Sequence, residues 1–273
     1  MPRTSVLFVV PTLGTRPEWL RLSVDSIFES ARNADVNITV RIVTPSRVDL
    51  GSLSMTPGVD HVRSDRPGLS AAVNDGWAKP HDAGYVAWLG DDDVLSPMSL
   101  ALSISRLAKS PSASACYGDV RSIDENGDTL WMMRPGDWAP HYMSVGKNLV
   151  PQPGSLFRWP ALLRTGVLDE SLKAAMDQDL FARLSRVGRL RYAGGEVAAF
   201  RIHSSSITSV GSGSDEGQRV RATYAPRIAP FLRPATKITD RIIFGLMRRL
   251  RFSETPLNSQ GTPYTKNGVE RSY

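Results

Sequence analysis

Short apolar runs alternate with amphipathic segments through the first half of the chain. Strands are predicted at 5–10, 37–43 and 85–89, where the residues are apolar or β-branched. Helices are predicted between and after these runs from apolar side chains at helical spacing, namely Leu20, Val24, Ile27, Phe28 and Ala31, then Leu69, Ala72, Val73 and Trp77, then Leu100, Ile104 and Leu107. This alternation is typical of an α/β fold with a mostly parallel, Rossmann-like central sheet and helices on both faces.

Local signals mark where several helices begin and end. The segment Thr15-Arg16-Pro17-Glu18 resembles a capping box with proline in the first turn, so a helix is predicted to begin there. Ser96-Pro97 is predicted to begin the helix that contains Leu100. A later helix is predicted from Asp177 to Val187, and Gly188 is predicted to close it.

The second half of the chain has a different pattern, which predicts a smaller region of mixed structure. Strands at 115–123 and 128–132 flank an Asn126-Gly127 turn, the signal of a hairpin. Residues 134–155 are rich in proline, glycine and aromatic residues and are predicted to form a long shaped loop. A last strand is predicted at 196–202.

Three segments are distinguished after that strand. A loop is predicted over the Ser/Gly-rich stretch 204–217. Residues 236–252 are predicted to form a helix with one apolar and one basic face, and 253–273 to be disordered because they are polar. The helix has two interpretations. It lies on an anionic membrane surface, which would place the protein on the inner face of the cell membrane, or it docks on the rest of the chain or on a second subunit.

Composition narrows the kind of protein. The 273 residues are 41% hydrophobic and 22% charged, which is usual for a globular protein. The apolar run after Arg3 is too short for a signal peptide, and no run approaches the ~20 apolar residues of a spanning helix. With the single cysteine Cys116, this favours a cytoplasmic protein. The net charge of +6 favours an anionic ligand or surface, but no basic and aromatic pattern for nucleic acid recurs outside 236–252.

Three consecutive carboxylates, Asp91-Asp92-Asp93, follow the predicted strand at 85–89. Pro11-Thr12 follows another strand, and the carboxyl ends of parallel strands form the edge where α/β sheets bind ligands. Carboxylates that repel one another are stabilised by a cation, and hard oxygen ligands suit Mg²⁺ or Mn²⁺. A metal there would bridge the phosphates of a nucleotide. The alternative is a solvated acidic turn before a helix.

Asp177 and Asp179 open the predicted helix at 177–187. The helix dipole alone would favour both carboxylates at this position. The functional alternative is that Asp177 is a general base, because a sugar hydroxyl must lose its proton as it attacks, while Asp179 is structural. His203 ends the last predicted strand. It is a metal ligand only if that strand ends near Asp93; otherwise it is a structural or exposed histidine.

The order of these segments resembles family 2 glycosyltransferases, which have the GT-A fold. The resemblance covers roughly residues 5–208 and rests on an ordered set of short motifs: Val9-Val10-Pro11-Thr12, Pro67-Gly68-Leu69-Ser70-Ala71-Ala72-Val73-Asn74-Asp75-Gly76, Leu89-Gly90-Asp91-Asp92-Asp93, Tyr117-Gly118-Asp119-Val120, Ile123-Asp124-Glu125-Asn126-Gly127, Met176-Asp177-Gln178-Asp179-Leu180 and Phe200-Arg201-Ile202-His203. It implies transfer of a sugar from a nucleoside diphosphate donor to an acceptor hydroxyl, usually with inversion.

The resemblance also implies roles for individual residues. Donor contacts would come from Pro11, Thr12 and Glu18 around the nucleoside, Arg66 and Asn74 near the nucleotide or donor sugar, and Asp91 and Asp92 at the ribose or donor sugar. Asp93 would bind Mn²⁺ or Mg²⁺, with His203 as a further ligand, and Asp177 would be the catalytic base. The implied domain is a single catalytic unit over 1–232, with a donor half at 1–110 and an acceptor half at 111–232, followed by the helix within 233–252.

A glycan or lipid-linked acceptor, as in polysaccharide biosynthesis, would stack its sugar faces on aromatic side chains of the second half. The candidates are Trp131, Trp138 and Trp159, although core packing explains aromatic residues equally well. Two positions depart from the family pattern. Val43-Thr44-Pro45-Ser46 lacks the carboxylates that many members have there, which leaves the nucleotide open. Met176 stands where a glutamate is frequent.

Two other functions remain compatible with the sequence. Leu13-Gly14-Thr15-Arg16-Pro17 faintly resembles the glycine-rich loop of sugar nucleotidyltransferases, which release pyrophosphate instead of a nucleoside diphosphate. The second alternative is a non-catalytic nucleotide- or glycan-binding protein of the same fold. The presence of Asp177 and of all three aspartates at 91–93 disfavours that alternative.

Overall fold

A mixed sheet of nine strands forms the centre of the computed structural model, which describes residues 3–143, 148–203 and 213–224. The strands are β1 Ser5–Pro11, β2 Asn37–Thr44, β3 Val59–Arg63, β4 Tyr85–Trp88, β5 Val94–Leu95, β6 Ala113–Ile123, β7 Thr129–Met133, β8 Leu156–Arg158 and β9 Arg189–Arg201. The helices are α1 Pro17–Ala34, α2 Leu69–Ala78, α3 Ser99–Ala108, α4 Ala139–Met143, α5 Trp159–Thr165, α6 Met176–Val187 and α7 Gly213–Tyr224, with a short 3-10 helix at Gly51–Met55.

The strand order is β3-β2-β1-β4-β8-β6-β9-β5, and β7 pairs with β6 outside this path. The strands β3, β2, β1 and β4 run parallel, and so do β6 and β9. All other pairs are antiparallel, so the sheet as a whole is mixed instead of mostly parallel. The parallel arrangement is confined to the four strands of the first half and to the β6–β9 pair, because the second half contains short connections, such as the predicted β6–β7 hairpin, that cannot join parallel strands.

Both faces of the sheet are covered by helices, as the sequence predicted. In β1, Val6, Phe8 and Val10 face the core formed with α1 and α3. Leu7 and Val9 face the opposite core, which is formed with α2, α5 and α6. Because both sides of β1 are buried, this strand is apolar along its length instead of alternating.

Several boundaries differ from the expectations. The helix α1 begins at Pro17 with Arg16 as its N-cap, and no side chain makes a capping hydrogen bond, so the capping box at Thr15 is not formed. The helix α3 begins at Ser99, because Ser96 instead donates its N–H to the Val197 carbonyl beside the β5–β9 pair. Gly188 does follow α6, but its backbone is extended. A Cβ there would lie 2.7 Å from the Ser112 carbonyl oxygen, which explains the glycine by packing.

Other differences concern the predicted loops. The stretch 134–155 contains the short helix α4. The strand β9 begins seven residues before the predicted position, at Arg189. The end of the predicted loop 204–217 is helical, because α7 begins at Gly213. The predicted helix at 236–252 and the predicted tail lie outside the described residues.

None of the described helices is both long enough and apolar enough to span a membrane.

Candidate functional site

The carboxyl ends of β1 and β4 bring Thr12 and Asp91 together. The parallel ladder continues past both strands, since Thr12 donates its N–H to the Val43 carbonyl (2.9 Å) and Leu89 donates to that of Val9 (3.0 Å). The Thr12 hydroxyl donates to Oδ2 of Asp91 at 2.5 Å and accepts the Gly14 N–H at 3.0 Å. The two segments that the sequence placed on one edge of the sheet therefore share a hydrogen bond.

The three aspartates form a tight acidic turn, which we define as Gly90 to Asp93. A Cβ on Gly90 would lie 2.5 Å from Oδ1 of Asp92 and 3.0 Å from Oδ2 of Asp93, so a glycine allows both carboxyl groups to fold back over the backbone. The Ser23 hydroxyl on α1 holds the Gly90 carbonyl at 3.0 Å. Asp93 is buried, with 4% of its surface exposed, which does not fit the alternative of a solvated turn.

The end of β9 closes over the acidic turn. Arg201 donates its backbone N–H to Oδ1 of Asp93 (3.0 Å) and its Nε to the Asp92 carbonyl (2.9 Å). Its guanidinium also reaches the carbonyls of Asp124 and Glu125, and stacks over the Trp19 ring of α1 at 4.9 Å. A single buried arginine therefore joins β9, the β6–β7 turn and the acidic turn.

His203 lies at the acidic turn, as the metal-ligand interpretation requires. Its Nε2 is 2.6 Å from Oδ2 of Asp92, and its ring centroid is 5.3 Å from that of Trp19. The contact is thus with Asp92, the neighbour of the carboxyl that the sequence assigned to the metal. The side chain is buried, with 6% of the residue exposed.

Two carboxyl groups of the acidic turn, those of Asp91 and Asp93, have a pKa above that of an ordinary aspartate. Burial raises the pKa of Asp91, although the Thr12 hydrogen bond opposes the shift, and the neighbouring charge of Asp92 adds to it. Burial and the charge of Asp92 raise the pKa of Asp93 well above its usual value against the opposing Arg201 N–H. The nearby charges of Arg16 and Arg201 oppose these shifts only in part, and a bound cation would favour the ionised forms further.

The side chains at the acidic turn offer atoms of the kinds that bind divalent metals, because carboxylate oxygens lie beside the imidazole of His203 from the end of β9. Within the described ranges, no group of three or more His, Cys, Asp or Glu side chains is already arranged to hold a metal ion. Metal binding by Asp93 and His203 stays a prediction.

Asp177 lies in the first turn of α6 and is half-buried. Its Oδ1 accepts the Gln178 N–H at 2.7 Å, and its Oδ2 lies 3.5 Å from Nδ2 of Asn148. Burial raises the pKa of Asp177 to about 6, against the opposing backbone N–H of Gln178. A carboxyl group with this pKa is half-ionised at about pH 6 and mostly ionised at neutral pH, which suits a general base.

A short segment connects Asp177 to the acidic edge of the sheet. Asn148 contacts Asp177, and Gln152 donates its side-chain amide to the Trp88 carbonyl at the end of β4 (2.9 Å). Residues 148 and 152 are separated by four peptide units, which span at most about 14 Å. Asp177 and the end of β4, from which the acidic turn departs, therefore belong to the same end of the fold.

Asp179 has a structural role, as the sequence favoured. Its Oδ2 accepts hydrogen bonds from Arg183 at 2.8 Å, and its Oδ1 accepts one from the Tyr224 hydroxyl at 2.7 Å. Arg183 in turn donates to the carbonyls of Thr165 and Val167, so the pair anchors α6 to the end of α5.

Arg66 and Asn74 fasten the segment 168–170 to α2. The Asn74 amide is paired with the Leu168 backbone in both directions, at 2.9 and 3.0 Å, and with Oε1 of Glu170 at 2.9 Å. Arg66 pairs with Asp75 at 2.7 Å and with Glu170. Arg66 precedes α2 and Asn74 lies in the middle of that helix. Their predicted contacts with a nucleotide sugar stay predictions.

Glu18 lines a cleft of about 440 Å³ between the first turns of α1 and the segment after β2. Gly14, Arg21 and Val48 also line this cleft. Pro11 is buried at the end of β1. Gly14 has a φ of +73°, and a Cβ there would lie 2.5 Å from Cγ1 of Val48, so local packing accounts for the glycine that suggested a nucleotidyltransferase loop.

The three candidate acceptor tryptophans lie in three different parts of the chain, on β7, just before α4 and at the start of α5. Trp138 is 47% exposed and lies edge-on to Tyr142, while Trp131 is half-buried on β7. Trp159 begins α5 and donates its N–H to the Gly84 carbonyl, at the end of β4 opposite to the acidic turn. It packs on the core and on the His81 ring at 4.6 Å, which fits the packing interpretation of this residue.

Three further residues at the site had little or no signal in the sequence. Arg201 was visible only as part of the Phe200–His203 motif, although an arginine inside an apolar strand end is itself a signal of buried polar partners. Trp19 and Asn148 had no local signal, because their roles depend on β9 and α6, which are distant in sequence.

Sequence comparison finds relatives that are named glycosyltransferases. The uncharacterized glycosyltransferase RP339 of Rickettsia prowazekii is 24% identical over 264 residues, a match that covers 93% of this chain and 78% of that protein. An uncharacterized glycosyltransferase of Rickettsia felis is 24% identical over 199 residues. That match covers 68% of this chain but 32% of the relative, so the chain spans about a third of that protein's length. No protein-family model matches the chain.

Fold comparison finds crystal structures of S. aureus TarS. The complex of TarS 1–349 with UDP-GlcNAc has a TM-score of 0.60 and 14% identity, covering 81% of this chain and 66% of that one. The complex with UDP has a TM-score of 0.54 and 13% identity, covering 81% and 65%. At these identities the likeness concerns the fold. In sequence and in fold, the class of protein that this chain resembles is the glycosyltransferases.

Proposed function

We propose that this chain is an inverting glycosyltransferase of the GT-A type, similar to family 2, which transfers a sugar from a nucleoside diphosphate to an acceptor hydroxyl. The observation that carries the proposal is Asp177. Its half-buried carboxyl group has a pKa of about 6 and is connected through 148–152 to the edge that holds the acidic turn. The crystal structures of TarS with UDP-GlcNAc and UDP support a nucleotide sugar as the donor.

The acidic turn is the proposed donor site. Asp91, held by the Thr12 hydroxyl, offers a carboxylate to hydroxyl groups of the ribose or donor sugar. Asp93 and His203 would hold a divalent cation, which when bound neutralises charge on the diphosphate leaving group. Arg201 fixes the backbone of the turn through Asp92 and so keeps the carboxyl groups in place.

Asp177 is the proposed general base. The acceptor O–H gives its proton to the Asp177 carboxylate while its oxygen bonds to the anomeric carbon. The bond from that carbon to the diphosphate oxygen breaks as the new bond forms, and the displacement inverts the anomeric centre. The Gln178 N–H orients the carboxylate through Oδ1 before reaction, and the Asn148 amide approaches Oδ2 at 3.5 Å.

Replacing Asp177 by Asn tests this assignment, because the amide keeps the size but cannot accept the proton. We expect transfer to fall by at least about a hundredfold, within the range that general bases contribute, while the donor dissociation constant changes less than about threefold. Release of nucleoside diphosphate and of pyrophosphate are measured separately, since pyrophosphate would indicate nucleotidyltransfer.

The matched control is Asp82→Asn, an exposed aspartate at the opposite end of β4. It should leave the rate unchanged. An Asp177→Asn variant with the wild-type rate would remove Asp177 from the mechanism.

A further inference from the structure

The helix α7 supplies a carboxylate to the segment that precedes α6. The backbone N–H groups of Lys173, Ala174 and Ala175 all point at Glu216. Its Oε2 accepts from these three residues at 3.0, 2.8 and 3.2 Å, and its Oε1 accepts a second contact from Lys173 at 3.1 Å. Glu216 is buried, with 9% of its surface exposed.

The start of α6 has no capping side chain of its own, which explains the position of Glu216. The N-cap of this helix is Ala175, which has no polar side chain, and no side-chain capping bond is made at that position. The first N–H groups of a helix require partners, and a negative charge is favourable there because of the helix dipole. Glu216, 41 residues further along the chain, accepts the N–H of the N-cap Ala175 and places a negative charge beside the start of the helix.

The charge on Glu216 is maintained by these contacts. Burial raises the pKa of the carboxyl group, but the N–H donors of Ala174, Lys173 and Ala175 and the charge of Arg219 outweigh it, so the pKa lies below the usual value. The anionic form that accepts these hydrogen bonds is therefore the form present at neutral pH.

A second set of contacts ties α7 to α6 beyond Asp177. The Tyr224 hydroxyl donates to Oδ1 of Asp179 at 2.7 Å, and Arg186 stacks over the Tyr224 ring at 4.6 Å. The helix α7 thus holds α6 at Ala175 and at Asp179, two residues before and two residues after Asp177.

We propose that Glu216 is a positioning residue for Asp177, an inference that rests on the proposed role of Asp177 as the base. The direction of the Asp177 carboxylate depends on the backbone of the first turn of α6. Its contact with another element is the 3.5 Å approach of Asn148, which is too long to fix that turn. The fixed point is the Glu216 carboxylate on the three N–H groups before the helix.

The expected effect follows from the geometry. Without Glu216 the segment 173–175 loses its partners and the first turn of α6 can shift. A misplacement of about 1 Å in a catalytic group costs on the order of a hundredfold in rate. Donor binding at the acidic turn should not change, because that turn is held by Thr12, Ser23 and Arg201.

The test compares Glu216→Ala, Glu216→Gln and the control Gln218→Ala, which shortens an exposed side chain on the same helix. The donor probe is whichever of UDP-GlcNAc, UDP-glucose, dTDP-rhamnose and GDP-mannose gives the largest wild-type rate. The kcat and the donor Kd are measured well below the melting temperature of the least stable variant. Asp177→Asn is measured beside them.

We expect Glu216→Ala to lower kcat by about 10- to 100-fold with a donor Kd within about twofold of wild type. Glu216→Gln should recover part of the rate because its amide oxygen still accepts N–H donors. Gln218→Ala should match wild type. If Glu216→Ala does not fold, the changes in kcat and in donor Kd are measured with Glu216→Gln instead.

Other outcomes overturn the proposal. A purely structural residue would lower the melting temperature but leave kcat within about twofold, and a fall of kcat and donor affinity together would indicate general damage. An inactive Asp177→Asn beside a fully active Glu216→Ala would reject the positioning role alone. A fully active Asp177→Asn, or no turnover of any donor by wild type, would reject the proposed function itself.

Discussion

At the residue scale, the site is a set of carboxyl groups whose surroundings differ. Asp91 is held by a hydroxyl group, Asp93 by a backbone N–H, and Asp92 by an imidazole. Asp177 lies apart on α6 and has one strong donor, the Gln178 N–H. The three carboxyl groups at the acidic turn suit the binding of a cation, whereas the single carboxyl group on α6 suits proton transfer.

The pH dependence of the rate should report on Asp177. Since its carboxyl group must be ionised to act as a base and its pKa is about 6, the rate should rise about tenfold per pH unit below pH 6 and level off above it. A pH–rate profile of kcat measures this. A rate that stays level from pH 7 down to pH 4.5 would contradict the role of Asp177.

The free energy of unfolding should also depend on the ionisation of Asp177. It should fall with rising pH over the range in which the rate rises. A carboxyl pKa that is raised on folding means that the folded state binds the proton more tightly, so stability falls as pH rises from about 4 to about 6. Asp177→Asn lacks this group and should be more stable than wild type at pH 8, by on the order of 1 kcal/mol. At pH 4 the variant should have no such advantage over wild type. Urea unfolding at the two pH values measures the difference, and an equal difference at both would contradict the raised pKa.

Thr12→Val tests the hydrogen bond between β1 and the acidic turn. The change keeps the shape but leaves Asp91 and the Gly14 N–H without the hydroxyl group. We expect a loss of about 1–2 kcal/mol in the free energy of unfolding and weaker binding of nucleoside diphosphate. Thr12→Ser keeps the hydroxyl group and is the control in denaturation and in titration calorimetry. Equal behaviour of the two variants would show that the hydrogen bond does not matter.

At the element scale, the end of β9 organises the site. Arg201 connects β9 to the acidic turn, to the β6–β7 turn and to Trp19 on α1. Four elements that are far apart in sequence thus meet at one guanidinium group. Only 3% of the surface of Arg201 is exposed. A planar group with a fixed fork of donors is required for such a junction.

Arg201→Lys should therefore be destabilising although the charge is kept. An ammonium group cannot serve the Asp92, Asp124 and Glu125 carbonyls together, and a hydrogen bond from a charged donor contributes about 1.5–3 kcal/mol. We expect a loss of about 2–3 kcal/mol in thermal or urea unfolding. Arg189→Lys, at the exposed start of β9, is the control and should change stability by less than about 0.5 kcal/mol. A similar small effect for both would contradict the junction.

Periodicity predicted the elements that have a strong local pattern. The strands β1, β2 and β4 and the helices α1, α2 and α6 were expected close to their observed places. The strand β3 was missed because Val-Asp-His-Val-Arg at an edge lacks a continuous apolar run, and β8 was missed because it has three residues. The helix α7 was missed because glycine and serine at 211–217 favour loops.

At the scale of the whole molecule, the site lies where two differently built halves of the sheet meet. The parallel strands β1 and β4 supply Thr12 and the acidic turn, and β9 supplies Arg201 and His203. The sequence predicted that these segments carry the chemistry. It did not predict that His203 contacts Asp92, because a contact between residues 111 positions apart depends on the strand order and the mixed sheet.

The most direct measurement is a thermal-shift panel of UDP, dTDP, GDP, ADP and CMP, each with Mn²⁺ and with EDTA. A ligand that binds only the folded state raises the melting temperature by mass action, so the panel reports binding without an acceptor. The account predicts that one nucleoside diphosphate raises the melting temperature with Mn²⁺, that EDTA removes most of the rise, and that Asp93→Ala abolishes the metal dependence. No shift with any nucleotide, or a shift that neither EDTA nor Asp93→Ala changes, would contradict the proposed donor site.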